Sequence, residues 1–279
     1  MNSGVWAITF DLIREALARR WILALLLAMT LVLGGMSLGL SVEVVDGALA
    51  ATRLFGTSLD NDIRAADVAL RPVFEAAAYV IFYGGLCFGI LACSDFVPSL
   101  LAPGRIEHLL SLPVRRSALI IGTYGGVFLV MAGLAAYGAL GFTVVLGLKT
   151  GVWTPRLLAA ALLAVITFAA IFGVMVTAAV FVRSSALSAL AGGALCLAGL
   201  FSGNRDQLLP MFEPGKERTA FEIFCVFFPP VAAIARAAGD LAASLPIDRD
   251  LLLRQLAGLL LFGAAAVAVG IWRFEQKDF

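Results

Sequence analysis

The stretch RIEHLLSLPVRRSALIIGTYGGVFLVMAGLAAYGALGFTVVLGL, residues 105–148, decides the fold class of this chain. Its second part, residues 118–148, has no charged side chain and is longer than the roughly 20 mostly apolar residues that a membrane-spanning helix needs. Its first part, residues 105–116, holds five ionisable residues, a proline and the only histidine, His108. The sequence therefore predicts a membrane helix that follows a short charged connection.

The composition of the whole chain agrees with a membrane location. Of its 279 residues, 61% are hydrophobic and 14% are charged, whereas soluble domains have about 45–50% apolar and about 25% charged residues. The net charge of +1 gives no electrostatic reason to expect a nucleic-acid partner. The four cysteines lack the spacing of a metal or redox site. We expect an integral membrane protein whose surroundings are the lipid bilayer.

Six apolar runs are long enough to span a membrane: residues 21–42, 74–93, 118–148, 157–182, 186–203 and 251–272. Glycines recur within them, as in Gly85-x-x-x-Gly89, Gly122-x-x-Gly125-Gly126 and Gly192-Gly193, and small residues let helix backbones approach closely. The predicted fold class is all-α integral membrane, with six transmembrane helices in one domain that covers residues 1–279.

The distribution of Lys and Arg predicts the orientation. With six spans both termini share a side, and that side holds nine of the twenty basic residues in a short length of chain: Arg14, Arg19, Arg20, Arg105, Arg115, Arg116, Arg183, Arg273 and Lys277. Because cytoplasmic segments near spans are enriched in Lys and Arg, both termini are predicted to be cytoplasmic. The expected location is the cell membrane, either a plasma membrane or a bacterial inner membrane.

Two long connections lie on the other side, residues 43–73, which are acidic, and residues 204–250. The second contains FEIFCVFFPPVAAIARAAGDLAAS, in which Pro229 and Pro230 interrupt an apolar run that is too short to span. We expect a re-entrant or interfacial element within residues 221–245. A seventh span is the alternative, and it would move the C-terminus to the outer side.

The first twenty residues form a different kind of segment. Trp6, Phe10, Ile13 and Leu17 recur at helical spacing on one face, while the charged residues lie elsewhere around the helix. This pattern predicts an amphipathic helix that lies in the membrane interface. The alternative is a cytoplasmic extension of the first span.

The charged connection itself predicts a short helix at the cytoplasmic surface. Pro103 and Gly104 break the preceding segment and Pro113 ends the helix, whose apolar face is formed by Ile106, Leu109 and Leu110. Arg105, Glu107 and His108 are expected on another face, where they can offer charge to a soluble partner. A plain connector with positive-inside arginines is the alternative.

This connection resembles the one between the second and third spans in membrane permeases of ABC-2 type ATP-binding-cassette exporters, which has the form G-x-x-E-x-L-L-x-x-P-[VI]-x-R. The matching residues are Gly104, Glu107, Leu109, Leu110, Pro113, Val114 and Arg116. The N-terminal FDLIREALARRWIL, the FPPVAAIARAAGDL segment and the C-terminal WRFEQKDF are also similar to parts of that family. The acidic outer loop after the first span is longer than in small drug or polysaccharide permeases.

The resemblance implies a coupling helix that contacts a separate ABC ATP-binding subunit. The residues it assigns to ATPase docking are Arg14, Glu15, Arg105, Glu107, His108, Leu109, Arg115 and Arg116. It also implies a second permease copy or a related permease as partner in the membrane pathway, and we allow for an extracytoplasmic partner.

No catalytic residues are predicted in this chain. It contains no G-x-x-x-x-G-K-[ST] phosphate-binding loop, so no cofactor is expected to bind directly and ATP is hydrolysed by the partner subunit. A single histidine and scattered cysteines argue against a metal site or a Ser-His-acid triad. The hydroxyl residues in the spans, such as Thr123, Tyr124 and Thr177, are interpreted as bonded to helix backbones, so no substrate ligand is assigned.

The leading hypothesis is a permease subunit of an ATP-driven exporter. A second hypothesis keeps the ATPase but has the membrane subunit transmit force to an extracytoplasmic partner without transport. A stand-alone secondary carrier is a third, and it would call for inverted repeats with broken helices at corresponding positions, which the two halves do not show.

Overall fold

The computed structural model describes residues 2–18, 20–45, 48–54, 57–60, 64–65, 68, 70–111 and 115–276. The main helices are α1 (Asn2–Ala18), α2 (Arg20–Gly39), α3 (Arg71–Tyr79), α4 (Gly85–Cys93), α5 (Phe96–Leu100), α6 (Arg105–Ser111), α7 (Arg116–Thr150), α8 (Arg156–Val182), α9 (Ser185–Gly203), α10 (Arg205–Leu208), α11 (Lys216–Phe227), α12 (Val231–Ala242) and α13 (Arg249–Glu275). Short π and 3₁₀ turns, Val80–Gly84 and Leu209–Met211, complete the helical structure of the described residues.

Six helical segments are long and apolar enough to cross a membrane, which confirms the predicted number and the predicted all-α membrane class. They are Ile22–Gly39 within α2, Arg71–Leu100, α7, α8, α9 and α13. Several extend beyond the apolar runs because helical hydrogen bonding continues into the charged flanks. The second span, for example, begins at Arg71 and continues through a π-helical turn to Leu100.

Helix α8 lies at the centre of the bundle. In its most apolar stretch 72% of the residues are buried, against 11% in α2 and 17% in α13. Its contact with α13 depends on Gly173 and Gly263, since a Cβ on Gly173 would lie 2.8 Å from the Gly263 carbonyl oxygen. Phe168 and Phe172 of α8 are almost fully buried. The core therefore consists of aliphatic, aromatic and small residues around one central helix.

The prediction that glycines serve close packing is confirmed at some positions and wrong at others. A Cβ on Gly89, Gly122, Gly126 or Gly192 would come within 2.8 Å of a neighbouring side chain. Gly85 and Gly193 have open space beside them instead. A glycine repeat therefore marks a tight contact only where the glycine faces another helix.

The connection after α2 contains four short strands that the sequence analysis did not predict. They are β1 (Leu40–Val45), β2 (Ala48–Leu54), β3 (Thr57–Asp60) and β4 (Arg64–Ala65), and β2 pairs antiparallel with each of the other three. Valine-rich sequence such as SVEVV favours a pleated strand. A small antiparallel sheet thus joins the first two spans.

The segment before the last span breaks at the two prolines. Helices α11 and α12 have twelve residues each and are bent by 62° relative to each other. Each helix alone extends only about 18 Å, which is too short to span a bilayer, but the bent pair together is long and apolar enough, so a seventh span stays the alternative. Helix α11 has no buried residue, whereas Val231, Ile234 and Ala238 of α12 are fully buried. Residues 221–245 therefore contribute one exposed helix and one helix that is part of the core.

Candidate functional site

Helix α6 begins at a backbone turn that suits its sequence. Gly104 has a φ of +81°, a left-handed conformation that glycine adopts without strain. The Ala102 carbonyl accepts a hydrogen bond from the Ile106 amide at 3.1 Å, and the Gly104 carbonyl accepts one from the His108 amide at 3.1 Å. The predicted short helix after Pro103-Gly104 is therefore present in the structure. Pro113 and Val114 of the motif lie outside the described residues.

The two faces of α6 differ in exposure. Ile106 is buried and Leu109 packs half-buried against the hydrophobic core, so these side chains fix the helix to the bundle. Glu107 and His108 are exposed and point away from the bundle. The helix thus presents one acidic and one imidazole side chain to the surrounding solution while its apolar side holds it in place.

Arg105 turns toward helix α1 instead of sharing the exposed face with Glu107. Its guanidinium donates two hydrogen bonds to the Glu15 carboxylate, from Nη2 to Oε2 at 2.6 Å and from Nη1 to Oε1 at 3.3 Å. This bond to Glu15 raises the pKa of Arg105 above its ordinary value, with partial burial acting in the opposite direction. The pair joins two helices that are 90 residues apart in sequence.

Helix α1 in turn packs closely against the first turns of α7. A Cβ on Gly122 would lie 2.8 Å from Ile8 Cβ, and one on Gly126 would lie 2.8 Å from Leu12 Cδ2. The Thr9 hydroxyl also donates to the Gly122 carbonyl at 3.1 Å. Two glycines on α7 therefore make the room that α1 needs.

Helix α1 carries an exposed apolar face in addition to the face on α7. Trp6, Phe10 and Leu17 are each more than half exposed, and the rings of Trp6 and Phe10 lie 6.2 Å apart. Asp11 and Arg14 are exposed on a further side of the helix. The amphipathic character predicted from the sequence is present, and the position of α1 in the interface remains a prediction.

A cleft of about 210 Å³ separates α1 from α5, α6 and the start of α7. Its walls include the apolar side chains of Phe96 and Leu109 and the charged side chains of Asp11, Glu15 and Arg105. An apolar floor with a charged rim can accept an apolar side chain of a partner together with a neighbouring charge.

The predicted docking residues divide into four groups. Arg14, Glu107, His108 and Arg115 are exposed; Glu15 and Arg105 bind each other; Leu109 packs inward. Arg116 is half-buried, and its Nη1 donates a hydrogen bond to the Glu275 carbonyl oxygen at 3.4 Å. This last contact places the end of α13 beside the start of α7, on the same face of the bundle as α6. ATPase docking by these residues remains a prediction.

Two carboxylates near Arg105 were not predicted as site residues. Asp11 and Asp95 both lie close enough to interact electrostatically with the Arg105 guanidinium. The only sequence signal for Asp11 is its position four residues before Glu15, which places both on neighbouring turns of α1. Asp95 precedes α5, and only the folded chain brings it near α6.

Several hydroxyl groups within the spans bond to helix backbones, as interpreted from the sequence, whereas Tyr79 donates to the Glu75 carboxylate and Tyr137 pairs with the Thr30 hydroxyl. Thr123, Thr143 and Thr167 each donate to the carbonyl four residues earlier at 2.8 Å. Two hydroxyls instead join helices, since Tyr124 donates to the Ala169 carbonyl at 2.7 Å and Thr177 to the Ala266 carbonyl at 2.5 Å. These hydrogen bonds stabilise the bundle.

Comparison with known proteins identifies the family. No curated protein matches the chain. The family model described as "ABC-2 family transporter protein" matches residues 6–279, nearly the whole chain, and so confirms the resemblance. The chain therefore belongs to the ABC-2 transporter family, as a non-catalytic membrane permease subunit whose family membership implies partnership with an ABC ATP-binding subunit.

Proposed function

We propose that this chain is the permease subunit of an ATP-driven exporter and that the ATPase docks on a coupling surface. We define this surface as the exposed side chains Arg14, Glu107, His108 and Arg115 together with the cleft between α1 and α6. The observation that carries the proposal is the Glu15–Arg105 pair, which connects exposed α6 to α1. ATP hydrolysis takes place in the partner, and no cofactor is bound by this chain.

The contacts around the pair give a path for mechanical coupling. A push on Glu107 and His108 moves α6, and the charge-assisted bonds to Glu15 pass that movement to α1. Helix α1 is packed against Gly122 and Gly126, so the same movement reaches α7. The pathway helices thus respond to ATPase closure through close contacts at every step.

The Glu15–Arg105 pair contributes more to the relative orientation of α1 and α6 than to the stability of the fold. The side chains of Arg105 and Glu15 are 38% and 26% exposed, and partly exposed ion pairs add only about 0–1 kcal/mol to folding. A bidentate pair nevertheless fixes the relative orientation of its two helices. Loss of the pair is therefore expected to change coupling while the protein remains folded.

We place the coupling surface in the cytoplasm, with both termini on the same side. The support is the concentration of Arg14, Arg105, Arg115 and Arg183 near the ends of spans on this face. Arg19 and Lys277, which add to the same count, lie outside the described residues.

We further propose that two permease copies, or this chain and a related permease, form the substrate pathway. The support is the poor burial of α2 and α13. Leu23, Leu27 and Leu31 of α2 and Leu253 and Leu261 of α13 are each more than half exposed. Helices of this kind need lipid or a second transmembrane subunit as neighbours.

A non-transporting subunit that transmits force is a second candidate. The sheet formed by β1–β4 favours it, because this sheet connects the ends of the first two spans that lie away from α6 and has backbone edges that a partner could bind. Substrate release into the medium or vesicle lumen distinguishes the exporter from this alternative.

Copurification tests the ATPase partnership. The protein is solubilised gently from its native membrane, and associated chains are identified by mass spectrometry. We expect a soluble chain with a Walker A motif in roughly equal amount, which is lost with Glu107→Ala and His108→Ala combined. Glu217→Ala on the opposite face is the matched control and should retain it. Equal recovery with all variants would contradict docking at α6.

A further inference from the structure

A second cleft, of about 480 Å³, opens on the face opposite the coupling surface. It lies between the end of α9, the short helix α10, the buried helix α12 and the beginning of α13. Its size falls in the range of roughly 300–1,000 Å³ that is usual for small-molecule sites. None of the residues assigned to ATPase docking lines it.

The wall of this cleft carries charges of both signs. The two bases are Arg205, which is exposed, and Arg236, whose guanidinium donates to Asn204 Oδ1 and to the Gly203 carbonyl. The acids in the wall are Asp206, Asp240 and Asp248. A purely anionic ligand would meet the carboxylates and a purely cationic ligand the guanidinium groups. Charge complementarity therefore favours a ligand that carries both charges.

The acidic residues of the cleft wall differ in burial and in the hydrogen bonds that they accept. Asp240 follows Arg236 by one helical turn on α12 and is half-buried. Asp248 caps α13, where its Oδ1 accepts the amides of Asp250 and Leu251 at 3.1 Å each. Asp206 is exposed beside Arg205 on α10, so Asp240 is the acid of this wall that is half-buried and not part of a helix cap, and Arg205 is the exposed base.

The cleft is also bordered by apolar side chains. On α13, Leu251 and Leu252 line it, and Leu251 is 52% exposed. On the other side, Cys225 of α11 lines the cleft, and the adjacent Val226 is 78% exposed. A ligand with its polar part in the cleft would therefore place an apolar part between α11 and α13.

We propose that this cleft binds the headgroup of a zwitterionic membrane lipid that has a primary ammonium group. The lipid phosphate lies against Arg205 and the ammonium donates to Asp240, while the acyl chains run along α11 and α13. A primary ammonium fits better than a trimethylammonium because a carboxylate accepts hydrogen bonds that only an N–H group can donate. Lipid binding here stands whether or not the ATPase docks as proposed above.

Cys225 provides a reporter within the cleft itself. It is half-buried, whereas Cys93 and Cys196 are buried in the bundle, so Cys87→Ser leaves Cys225 as the accessible thiol. The full chain in detergent is labelled with a water-soluble methanethiosulfonate in the presence of phosphatidylethanolamine, phosphatidylcholine or phosphatidylglycerol. We expect phosphatidylethanolamine to slow labelling at least about fivefold more than phosphatidylglycerol, with phosphatidylcholine in between.

Substitutions in the cleft distinguish specific lipid binding at this site from nonspecific lipid association with the protein. Asp240→Asn and Arg205→Gln should each remove most of the protection, and Glu217→Gln, outside the cleft, should leave it unchanged. Native mass spectrometry of the same variants should show loss of a bound phosphatidylethanolamine, with unchanged melting temperature as the check on folding. Equal protection by all three lipids, or protection that persists in both cleft variants, would overturn the proposal. Equal protection by glycerophosphoethanolamine, which has no acyl chains, would overturn the membrane-lipid assignment.

Discussion

The Arg105 guanidinium holds the Glu15 carboxylate through two hydrogen bonds, at 2.6 and 3.3 Å, and so joins the short helix α6 to the N-terminal helix α1. Neither helix is linked to the other directly along the chain, because the first two spans lie between them. The ion pair therefore connects two helices that are far apart in the sequence. It is the contact through which a docked ATPase would reach α1 and α7.

Charge reversal at either residue of this ion pair should impair coupling, and reversal of both should restore part of it. Glu15→Arg or Arg105→Glu alone places like charges together, and we expect permease-dependent ATPase activity in the reconstituted complex to fall about fivefold, at the low end of allosteric coupling energies. The double variant should recover part of the activity, because Asp11 and Asp95 would repel the new carboxylate at position 105. The matched control is Arg218→Glu with Glu222→Arg, an exposed pair at 3.5 Å on α11, which should have no effect. Failure of the double variant to recover would show that the pair does not carry the coupling.

Substitution of Gly122 should loosen α1 from α7. In Gly122→Ala the new Cβ lies 2.8 Å from Ile8 Cβ, and overpacking of this kind costs about 1–3 kcal/mol. We expect a lower thermal unfolding midpoint in detergent. Gly133→Ala on the same helix is the control, since nothing lies within 4 Å of its Cβ position. Equal midpoints for the two variants would mean that α1 does not pack on Gly122.

Removal of the Thr177 hydroxyl should weaken the contact between α8 and α13. This hydroxyl donates to the Ala266 carbonyl on α13 at 2.5 Å, and interhelical bonds in membranes contribute about 0.6 kcal/mol on average. Thr177→Val should therefore lower the free energy of unfolding by about this amount. Thr167→Val, which removes a hydroxyl bonded only within its own helix, should have a smaller effect. A larger loss for Thr167 would contradict this assignment.

Cysteine labelling tests the orientation. In right-side-out vesicles of a cysteine-free background, an impermeant maleimide should label Glu213→Cys, in the connection before α11, without permeabilisation. His108→Cys on α6 should be labelled only after the membrane is opened, since both positions are exposed in the fold and only the bilayer separates them. The reverse result would place the coupling surface outside.

Hydropathy was sufficient to predict the spans, because each needs a long apolar run whatever its neighbours are. The same runs do not show which helix is central. Helix α8 and helix α13 are both apolar, yet only α8 is largely buried, because α8 packs against α7, α9 and α12 in addition to α13. The strands after α2 were missed since short alternating segments are ambiguous next to a dominant helical signal.

The candidate site was predicted only in part, because some of its contacts form only by tertiary packing. The residues of α6 are adjacent in sequence, and its apolar positions and the preceding glycine indicate a short packed helix. The partner of Arg105 could not be derived in this way, because Glu15, Asp11 and Asp95 reach it only in the folded bundle. Arg105 was therefore expected on the exposed face, whereas the structure has it bound to α1.

Photo-crosslinking from α6 tests docking at this surface most directly. A benzoylphenylalanine replaces His108 in the intact complex, and an equivalent probe replaces Glu217 on the opposite face as the control. We expect light-dependent crosslinking of position 108, and not of position 217, to the chain that carries the Walker A motif. Absence of an ATPase adduct at position 108 in a complex that still hydrolyses ATP and contains both subunits would contradict docking at this surface.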